Sequence, residues 1–359
     1  MGLFDPITIG RFHSKNHFCR AAAKEQLCSP GGHIPQEIYD FYEKLAAGGV
    51  GTIIVSSARV KLFDGTLPQG LFRLDRHDLL QDYKRLADIG HKYGCTMIIQ
   101  MSFSKRKLID DMTTFDLKRI ATLHGEAARF AMDAGFDGVE IHEAHGSWMF
   151  LATVLKPEFN HRTDEYGQNK SLLGEEIIRT VREYTSDDFI IFVKTDGKDE
   201  ANGYTLEMSI DNCRKLEAAG ADLIEVSGVK YFGHEGRQFE KNDFSYYSNE
   251  AVEIAKNVSI PVMLVGNNKD LSLLETLHEE HGIAAFSICR SLTREFDLIN
   301  RWASGDRENG KCICCGACNN TFAHECPFNK DNPFDPRRQP YYDDITGKEL
   351  RPYDLLTLD

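Results

Sequence analysis

The chain has 359 residues, of which 42% are hydrophobic and 27% charged, so it can bury a substantial core as one α/β barrel or as two domains. Its formal net charge of −13 excludes a whole-molecule basic field that would attract nucleic acid or anionic lipid. It has no apolar run of about eighteen residues and begins MGLFDPITIGRF, without a basic segment before an apolar block. We therefore expect a cytoplasmic protein with no membrane partner and no nucleic-acid partner.

Short apolar runs alternate with amphipathic stretches along the whole chain. The runs predicted to be strands are 18–23, 52–56, 96–101, 137–141, 189–194, 223–227, 262–265 and 285–288. The stretches with helical periodicity are 36–47, 78–92, 117–134, 172–184, 206–219, 249–256, 271–280 and 294–302. Eight strand–helix units in series predict an α/β fold, a closed (β/α)8 TIM barrel.

The stretch FDGVEIHEAHG, residues 136–146, carries two histidines at the end of the fourth predicted strand. The carboxyl ends of the strands form the working face of such barrels, so His142 and His145 would face a common mouth. Imidazoles can hydrogen-bond, polarise or exchange a proton near neutral pH. The pair is therefore a candidate substrate clamp, and the alternative is a pair of histidines satisfied by backbone groups.

Other strand ends carry polar groups towards the same volume. Lys194 ends the apolar run FIIFVK and needs an anionic or electron-rich partner if it is buried, and Gln100 offers an amide on the third strand. Gly266 in VGNNKD and Arg290 in SICRSL could together bind a phosphate. Alternatively, Gly266 is only a turn residue and Arg290 forms a surface ion pair.

Five of the ten cysteines lie within residues 312–326. Cys312, Cys315 and Cys318 have C-x2-C-x2-C spacing, and Cys326 is followed by Pro, much as in a ferredoxin cluster run except that seven residues replace three before the last Cys. Four thiolates so spaced could hold a [4Fe–4S] cluster or a tetrahedral zinc ion. The third alternative is a set of reduced structural thiols.

The sequence divides into a barrel at 1–305, a Cys-rich segment at 306–330 and an extended tail at 331–359 that is rich in Pro and Asp. Residues 228–247, after the sixth strand, form a long loop with several aromatic residues. We interpret this loop as a specificity lid, with a solvated excursion as the alternative.

Several motifs, in this order and spacing, resemble the old yellow enzyme family of FMN-dependent NAD(P)H oxidoreductases. They are KN at 15–16, Gln100, FDGVEIHEAHG at 136–146, NHRTDEYG at 160–167, VKT at 193–195, VG at 265–266 and SICRSLTREFDLINRW at 287–302. The resemblance runs from Leu3 to about Cys326 and includes some likeness to the barrel domain of dienoyl-CoA reductase. The latter places a [4Fe–4S] cluster after its barrel with C-x2-C-x3-C-x11-C spacing, from which this chain departs.

The resemblance implies a set of residues that binds FMN and a pair that binds substrate. The residues implied to bind FMN are Ala22, Ala23, Ser57, Gln100, Lys194, Gly266, Asn267, Cys289 and Arg290. Among them, Gln100 would bond the isoalloxazine edge, Lys194 would lie near N1 and O2, and the last four would hold the phosphate. His142 and His145 would be catalytic and hold the carbonyl oxygen of an unsaturated carbonyl or related electrophile. NAD(P)H would reduce FMN in the same mouth, in a ping-pong reaction.

One departure from the family bears on the reaction. Relatives that reduce activated alkenes carry a tyrosine proton donor where this chain has Ser147, and a serine hydroxyl is a far weaker acid than a phenol. Tyr204, Tyr231 and Tyr246 are candidate substitutes. In some relatives a C-terminal arginine enters the neighbouring subunit's site, which implies a homo-oligomer here. The candidate arginines are Arg337, Arg338 and Arg351.

Two other readings stay open. The first is a metal-dependent barrel lyase or hydrolase in which His142, Glu143 and His145 bind the metal, since their H-E-x-H spacing falls at a strand tip. The second is a flavin-binding protein without efficient alkene reduction, which the serine at position 147 would explain.

Overall fold

The structure is a computed structural model. It describes residues 2–60, 70–103, 108–146, 149–229 and 244–314, together with Cys318, Cys326, Asn329, 341–342 and 349–350.

A closed parallel barrel forms the body of the chain. Its strands and their neighbours are β1 (Ile7–Ile9), β2 (Phe12–Ser14), β3 (Phe18–Arg20), β4 (Thr52–Arg59), β5 (Phe72–Arg73), β6 (Thr96–Ser102), β7 (Gly138–Glu143), β8 (Ile190–Asp196), β9 (Leu223–Ser227), β10 (Val262–Val265) and β11 (Ala285–Ile288). Within the described ranges, the ring runs β3-β4-β6-β7-β8-β9-β10-β11, and pairing of β11 with β3 closes it. The predicted TIM barrel is confirmed.

The helices surround this ring. They are α1 (Gln36–Ala47), α2 (Leu80–Lys92), α3 (Thr114–Asp133), α4 (Phe150–Val154), α5 (Glu165–Gln168), α6 (Leu172–Tyr184), α7 (Leu206–Ala219), α8 (Ser248–Ala255), α9 (Leu271–His281), α10 (Arg290–Arg294) and α11 (Leu298–Ala303), with 3-10 turns at His77–Leu79, Ile109–Asp111 and Glu200–Asn202. The helix α3 begins three residues before the predicted 117, because Thr113 and Asp116 form a capping box. The short helices α4 and α5 were not predicted.

The predicted helix 294–302 is wrong, because two short helices occupy this part of the chain. The first, α10, begins at Arg290, and the second, α11, begins at Leu298. Glu295 lies between them in an extended conformation. Its buried carboxylate accepts from Arg301 Nε at 2.6 Å and lies 3.1 Å from Lys311 Nζ, so ion pairs with these two side chains hold the break.

An antiparallel hairpin made of β1 and β2 closes the amino end of the barrel. Ile7 and Phe12 of this hairpin pack against inward-facing apolar side chains of the barrel strands. The Phe12 ring meets the edge of Phe192 at 5.2 Å between centroids. Burying one such aromatic side chain stabilises the fold by about 1.5–3 kcal/mol. The hairpin was not predicted, because strands of three residues carry too little periodicity.

The C-terminal region is described only in part. Residues Tyr341–Tyr342 (β12) pair antiparallel with Glu349–Leu350 (β13). The other residues of the predicted tail, including Arg337, Arg338 and Arg351, lie outside the described residues, so the proposed division at 305 and 330 stays a prediction. No helix in the described part of the chain is long and apolar enough to cross a membrane.

Candidate active site

The alternation of side chains along the strands places polar groups inside the carboxyl half of the barrel. On β8, Ile190 and Phe192 face inward and pack with Ile7 and Phe12 in a cluster that we name the apolar plug. Lys194, two residues further on, also faces inward. The register pairs His142 on β7 with Lys194 and pairs Lys194 with Glu225 on β9. These three side chains therefore share the space above the plug.

The two predicted catalytic histidines lie together at the barrel mouth. His142 Nε2 lies 2.9 Å from His145 Nδ1, and the rings are nearly perpendicular at 88°. His145 Nε2 lies 3.2 Å from Ser227 Oγ. His142 Nδ1 is buried and has no hydrogen-bond partner among the described residues. His145 is partly exposed, so a ligand in the mouth could reach the pair through this ring.

Both histidines are held neutral near neutral pH. Burial lowers the pKa of His142 well below its usual value, and the charges of Lys194 and Arg59 lower it further. Burial also lowers the pKa of His145, with further contributions from His142, Lys194 and Lys156. In a neutral pair one facing nitrogen donates and the other accepts, so the rings serve as hydrogen-bonding groups.

Beneath the histidines, the two other predicted inward residues have acidic partners. Gln100 Nε2 donates to Glu140 Oε2 at 2.5 Å, and Lys194 Nζ donates to Glu225 Oε2 at 2.8 Å. Burial raises the pKa of Glu140 well above its usual value, and the neighbouring Glu225 raises it further. Burial alone would raise the pKa of Glu225, but the charge of Lys194 and hydrogen bonds with Glu140, Lys194 and Ser287 together lower it. Glu140 therefore keeps its proton, while Lys194 and Glu225 form a charged pair.

Sequence reasoning missed Glu140 and Glu225. The available signal was an acidic residue in each of the otherwise apolar runs GVEI and LIEV, at an inward-facing position. We name Gln100, Glu140, Lys194 and Glu225 the polar layer. It supplies the anionic partner that Lys194 was expected to need.

The predicted phosphate-binding residues lie at the ends of β10 and β11. Gly266 and Asn267 both have positive φ, 126° and 58°, which turns the backbone sharply after β10. Arg290 Nη2 donates to Tyr246 Oη at 3.4 Å. Asn267 Oδ1 accepts from the thiol of Cys314 at 2.9 Å, so the Cys-rich segment begins against this loop.

Lysine and cysteine side chains extend this region beyond the predicted set. Lys269 Nζ donates to the Cys312 carbonyl at 2.7 Å and lies 3.8 Å from Cys314 Sγ. The hydrogen bond from Cys312 lowers the pKa of Cys314, and the charges of Arg290 and Lys269 lower it further. Lys269 and Cys314 were not identified from sequence, although Lys269 follows the VGNN turn directly.

The structure describes the predicted metal ligands only in part. Cys318 and Cys326 are buried, Cys312 is partly buried, and Cys315 lies outside the described residues. In the part of the chain that is described, no group of three or more His, Cys, Asp or Glu side chains could hold a metal ion.

The remaining predicted cofactor residues lie at or just after the carboxyl ends of β3, β4 and β11. Ser57 Oγ donates to Ser102 Oγ at 2.6 Å, and Arg59 Nη1 lies 3.4 Å from the same oxygen. Ala22 and Ala23 follow β3 and are partly exposed, and Cys289 precedes α10. Arg59 was not identified from sequence, yet its charge acts on His142.

The H-E-x-H metal set is not formed, so this expectation was wrong. Glu143 lies on the opposite face of β7 from His142, because side chains alternate along a strand. Its carboxylate approaches Asn212 of α7 and occupies the space above Gly174 of α6. It therefore points to the helices, away from His145.

Tyr204 does not reach the mouth. It is buried on the helix side of β8, where burial and the nearby Cys213 raise its pKa well above the usual value. Tyr246 lies beside Arg290, one of the predicted phosphate-binding residues. Ser147, Tyr231 and residues 230–243 of the predicted lid lie outside the described residues.

Known proteins match both the sequence and the fold. Residues 2–116 and 103–309 match the NADH:flavin oxidoreductase / NADH oxidase family. The chain belongs to this family, which confirms the resemblance found in its motifs. The NADH oxidase of Thermoanaerobacter brockii is 26% identical over 346 residues, covering 87% of this chain and 52% of that protein. The chain spans about half the length of the first curated relatives it matches.

Two solved structures have the same fold. A 2-naphthoyl-CoA reductase in complex with 2-naphthoyl-CoA superposes with a TM-score of 0.80 at 21% identity, covering 89% of this chain and 54% of that one. An old yellow enzyme homologue from Zymomonas mobilis superposes with a TM-score of 0.70 at 19% identity, covering 85% and 93%. At these identities the likeness shows the fold.

Proposed function

We propose that this chain binds FMN at the barrel mouth and uses NAD(P)H to reduce an unsaturated carbonyl or a related electrophile. The observation that carries the proposal is the buried, neutral histidine pair above the polar layer, in a chain of the NADH:flavin oxidoreductase family. The partly exposed His145 and the inward-facing Lys194–Glu225 pair offer polar groups to a ligand in the mouth. Bound FMN supplies hydride transfer.

The residues around the mouth fit the two ends of FMN. Gln100 and Lys194 offer an amide and an ammonium group for the polar edge of the ring system. Arg290, beside the turn at Gly266 and Asn267, offers a guanidinium fork that suits a phosphate. Ala22, Ala23, Ser57 and Cys289 complete the proposed lining.

The histidine pair binds and orients the electrophile. Both rings are neutral, so an N–H of His142 or His145 can donate to a carbonyl oxygen without placing a charge in the pocket. A shared mouth supports the proposed ping-pong order, because NAD(P)H and the electrophile would use the same histidines in turn. The serine at position 147 leaves the proton donor to another group or to water.

The phosphate contact gives the first test of FMN binding. Arg290→Ala removes the guanidinium, and we expect the Kd for FMN to rise about tenfold or more, since a charge-assisted hydrogen bond contributes about 1.5–3 kcal/mol. The measurement is quenching of FMN fluorescence on titration with protein. Arg307→Ala is the matched control, because Arg307 pairs with Glu275 on the surface. An unchanged Kd for FMN in the Arg290 variant would show that Arg290 does not bind the phosphate.

We also propose that Cys312, Cys315, Cys318 and Cys326 hold a [4Fe–4S] cluster. The support is their spacing and the contact between Cys312 and Lys269, which brings the segment beside the proposed phosphate site. Iron and acid-labile sulfide in protein purified without air are expected at about four each per chain. Bound zinc would favour the tetrahedral site, and metal-free protein would favour structural thiols. The predicted homo-oligomer would be tested by sedimentation.

A further inference from the structure

The turn that carries His145 has an unfavourable backbone. His145 has a φ of 79°, and Gly146, directly after it, has a φ of 59°. Glycine adopts positive φ readily, whereas a residue with a side chain does so at a cost, because its Cβ crowds the carbonyl oxygen. The histidine ring therefore reaches its position only if other groups hold this turn.

A buried carboxylate holds it. Asp196, the last residue of β8, is 1% exposed. Its Oδ1 accepts from the backbone N–H of His145 at 2.8 Å, and its Oδ2 accepts from the N–H of Gly146 at 3.0 Å. The two successive N–H groups thus converge on one side chain, which is an arrangement that positive φ angles permit.

A buried lysine fixes that carboxylate. Lys156 is fully buried, and its Nζ lies 2.6 Å from Asp196 Oδ2 and 2.9 Å from Asp199 Oδ2. Asp199 is itself anchored, since it pairs with Tyr204 through the backbone and accepts from Asn202 Nδ2 at 2.7 Å. Lys156 follows α4, so this ion pair also ties down the chain that leaves the histidine turn.

We propose that Asp196, fixed by Lys156, is the positioning residue for His145. Asp196 sets the backbone so that His145 Nδ1 meets His142 Nε2 and His145 Nε2 meets Ser227. It contacts the backbone of the histidine turn, and it acts on the substrate through His145. The inference rests on the proposed role of the histidine pair as the substrate clamp.

Asp222 provides a matched control at the opposite end of the barrel. It is also buried, its Oδ2 accepts from the Ile191 N–H at 2.7 Å, and Arg182 and Arg11 are its cationic partners. Asp222 thus anchors the backbone of β8 as Asp196 anchors the histidine turn. It lies among the amino ends of the strands, away from the histidines.

The test compares Asp196→Asn with Asp222→Asn. An asparagine amide nitrogen cannot accept from an N–H, so the variant at 196 loses one of the two turn contacts. The FMN-loaded proteins are titrated with p-hydroxybenzaldehyde, whose phenolate oxygen can accept from imidazole N–H groups. We expect the Kd to rise about tenfold in Asp196→Asn and less than about twofold in Asp222→Asn, with FMN content kept in both.

A double-mutant cycle separates positioning from general stability. In a His145→Ala background, Asp196→Asn should change the Kd for the phenol by less than about twofold, because the residue through which it acts is gone. If Asp196→Asn raised the Kd by the same factor with and without His145, the inference would be overturned. A Kd for Asp196→Asn equal to that of the wild type would also overturn it.

Amide hydrogen exchange of the wild-type protein tests the inference if the variant does not fold, or if the wild type binds no FMN. We expect the N–H groups of His145 and Gly146 to exchange at the slow rate of the neighbouring strand β7. Exchange as fast as that of an exposed loop would contradict the role of Asp196. Wild-type protein that takes up no FMN would instead contradict the proposed function, and the exchange result would still decide this inference.

Discussion

The two ends of the barrel are built from the same strands but differ in chemistry. At the amino end, the hairpin of β1 and β2 inserts Ile7 and Phe12 among inward apolar side chains. At the carboxyl end, the polar layer and the histidine pair fill the same lumen with amides, imidazoles and charges. On β8, a single residue, Val193, separates apolar Phe192 from Lys194. Position along a strand, rather than strand type, therefore decides whether the barrel interior serves stability or chemistry.

The two ends also respond differently to substitution. Apolar packing loses free energy in proportion to the atoms removed and the cavity left. The polar layer depends on pairing, because removal of one partner leaves a buried charge without compensation. Substitutions at each end should therefore separate effects on stability from effects on the cofactor.

The largest effect is expected from Lys194→Met. The change leaves Glu225 buried without its cation, so we expect the free energy of unfolding to fall by about 3–5 kcal/mol and FMN affinity to fall with it. Urea unfolding and FMN titration measure the two quantities. The double variant Lys194→Met/Glu225→Gln should recover part of the stability while FMN stays weakly bound. Equal stability of the single and double variants would show that the ion pair does not govern the polar layer.

A somewhat smaller effect is expected from Phe12→Ala at the plug. Phe12 is fully buried, so we expect the free energy of unfolding to fall by about 3–4 kcal/mol from lost burial and the cavity. The Kd for FMN should stay unchanged, since Phe12 packs on Phe192 below the polar layer. Loss of FMN binding in a folded Phe12 variant would contradict the separation of the two ends.

The smallest effect is expected from Glu143→Gln and depends on pH. Burial raises the pKa of Glu143 to about 7 in the folded state, against a usual value of about 4.3. Because the folded pKa is raised, stability from this group is present below the unfolded pKa and is lost as pH rises through the folded pKa. We therefore expect Glu143→Gln to raise the free energy of unfolding by at most about 3 kcal/mol at pH 8 and by almost nothing at pH 4.

Urea unfolding across this pH range measures that difference. Glu126→Gln is the matched control, because Glu126 lies exposed on α3. A stability gain at position 143 that is the same at both pH values would contradict the assigned pKa.

The sequence predicted the ring of strands because each strand is a buried run of ordinary length. It did not predict β1, β2 or β5, which have two or three residues and are formed by tertiary contacts. The predicted helix 294–302 is wrong because Glu295, a good helix former, is held extended by cations six and sixteen residues further along the chain.

The sequence predicts the part of the candidate site that consists of polar residues at the carboxyl ends of strands, as at His142, His145 and Lys194. Two kinds of information were missing. The H-E-x-H spacing takes no account of the side of the strand, although side chains alternate and place Glu143 on the face opposite His142. The partners Glu225 and Asp196 lie 31 and 51 residues from Lys194 and His145 along the chain, a separation that local pattern cannot bridge.

The most direct test of the account is an anaerobic absorption spectrum of the FMN-loaded protein, first with NAD(P)H and then with an α,β-unsaturated aldehyde or ketone. The account predicts that the flavin absorbance bleaches on addition of NAD(P)H and returns on addition of the electrophile. A protein that takes up no FMN would contradict the account. Bound FMN that NAD(P)H does not bleach would contradict the proposed activity and favour a flavin-binding protein without turnover.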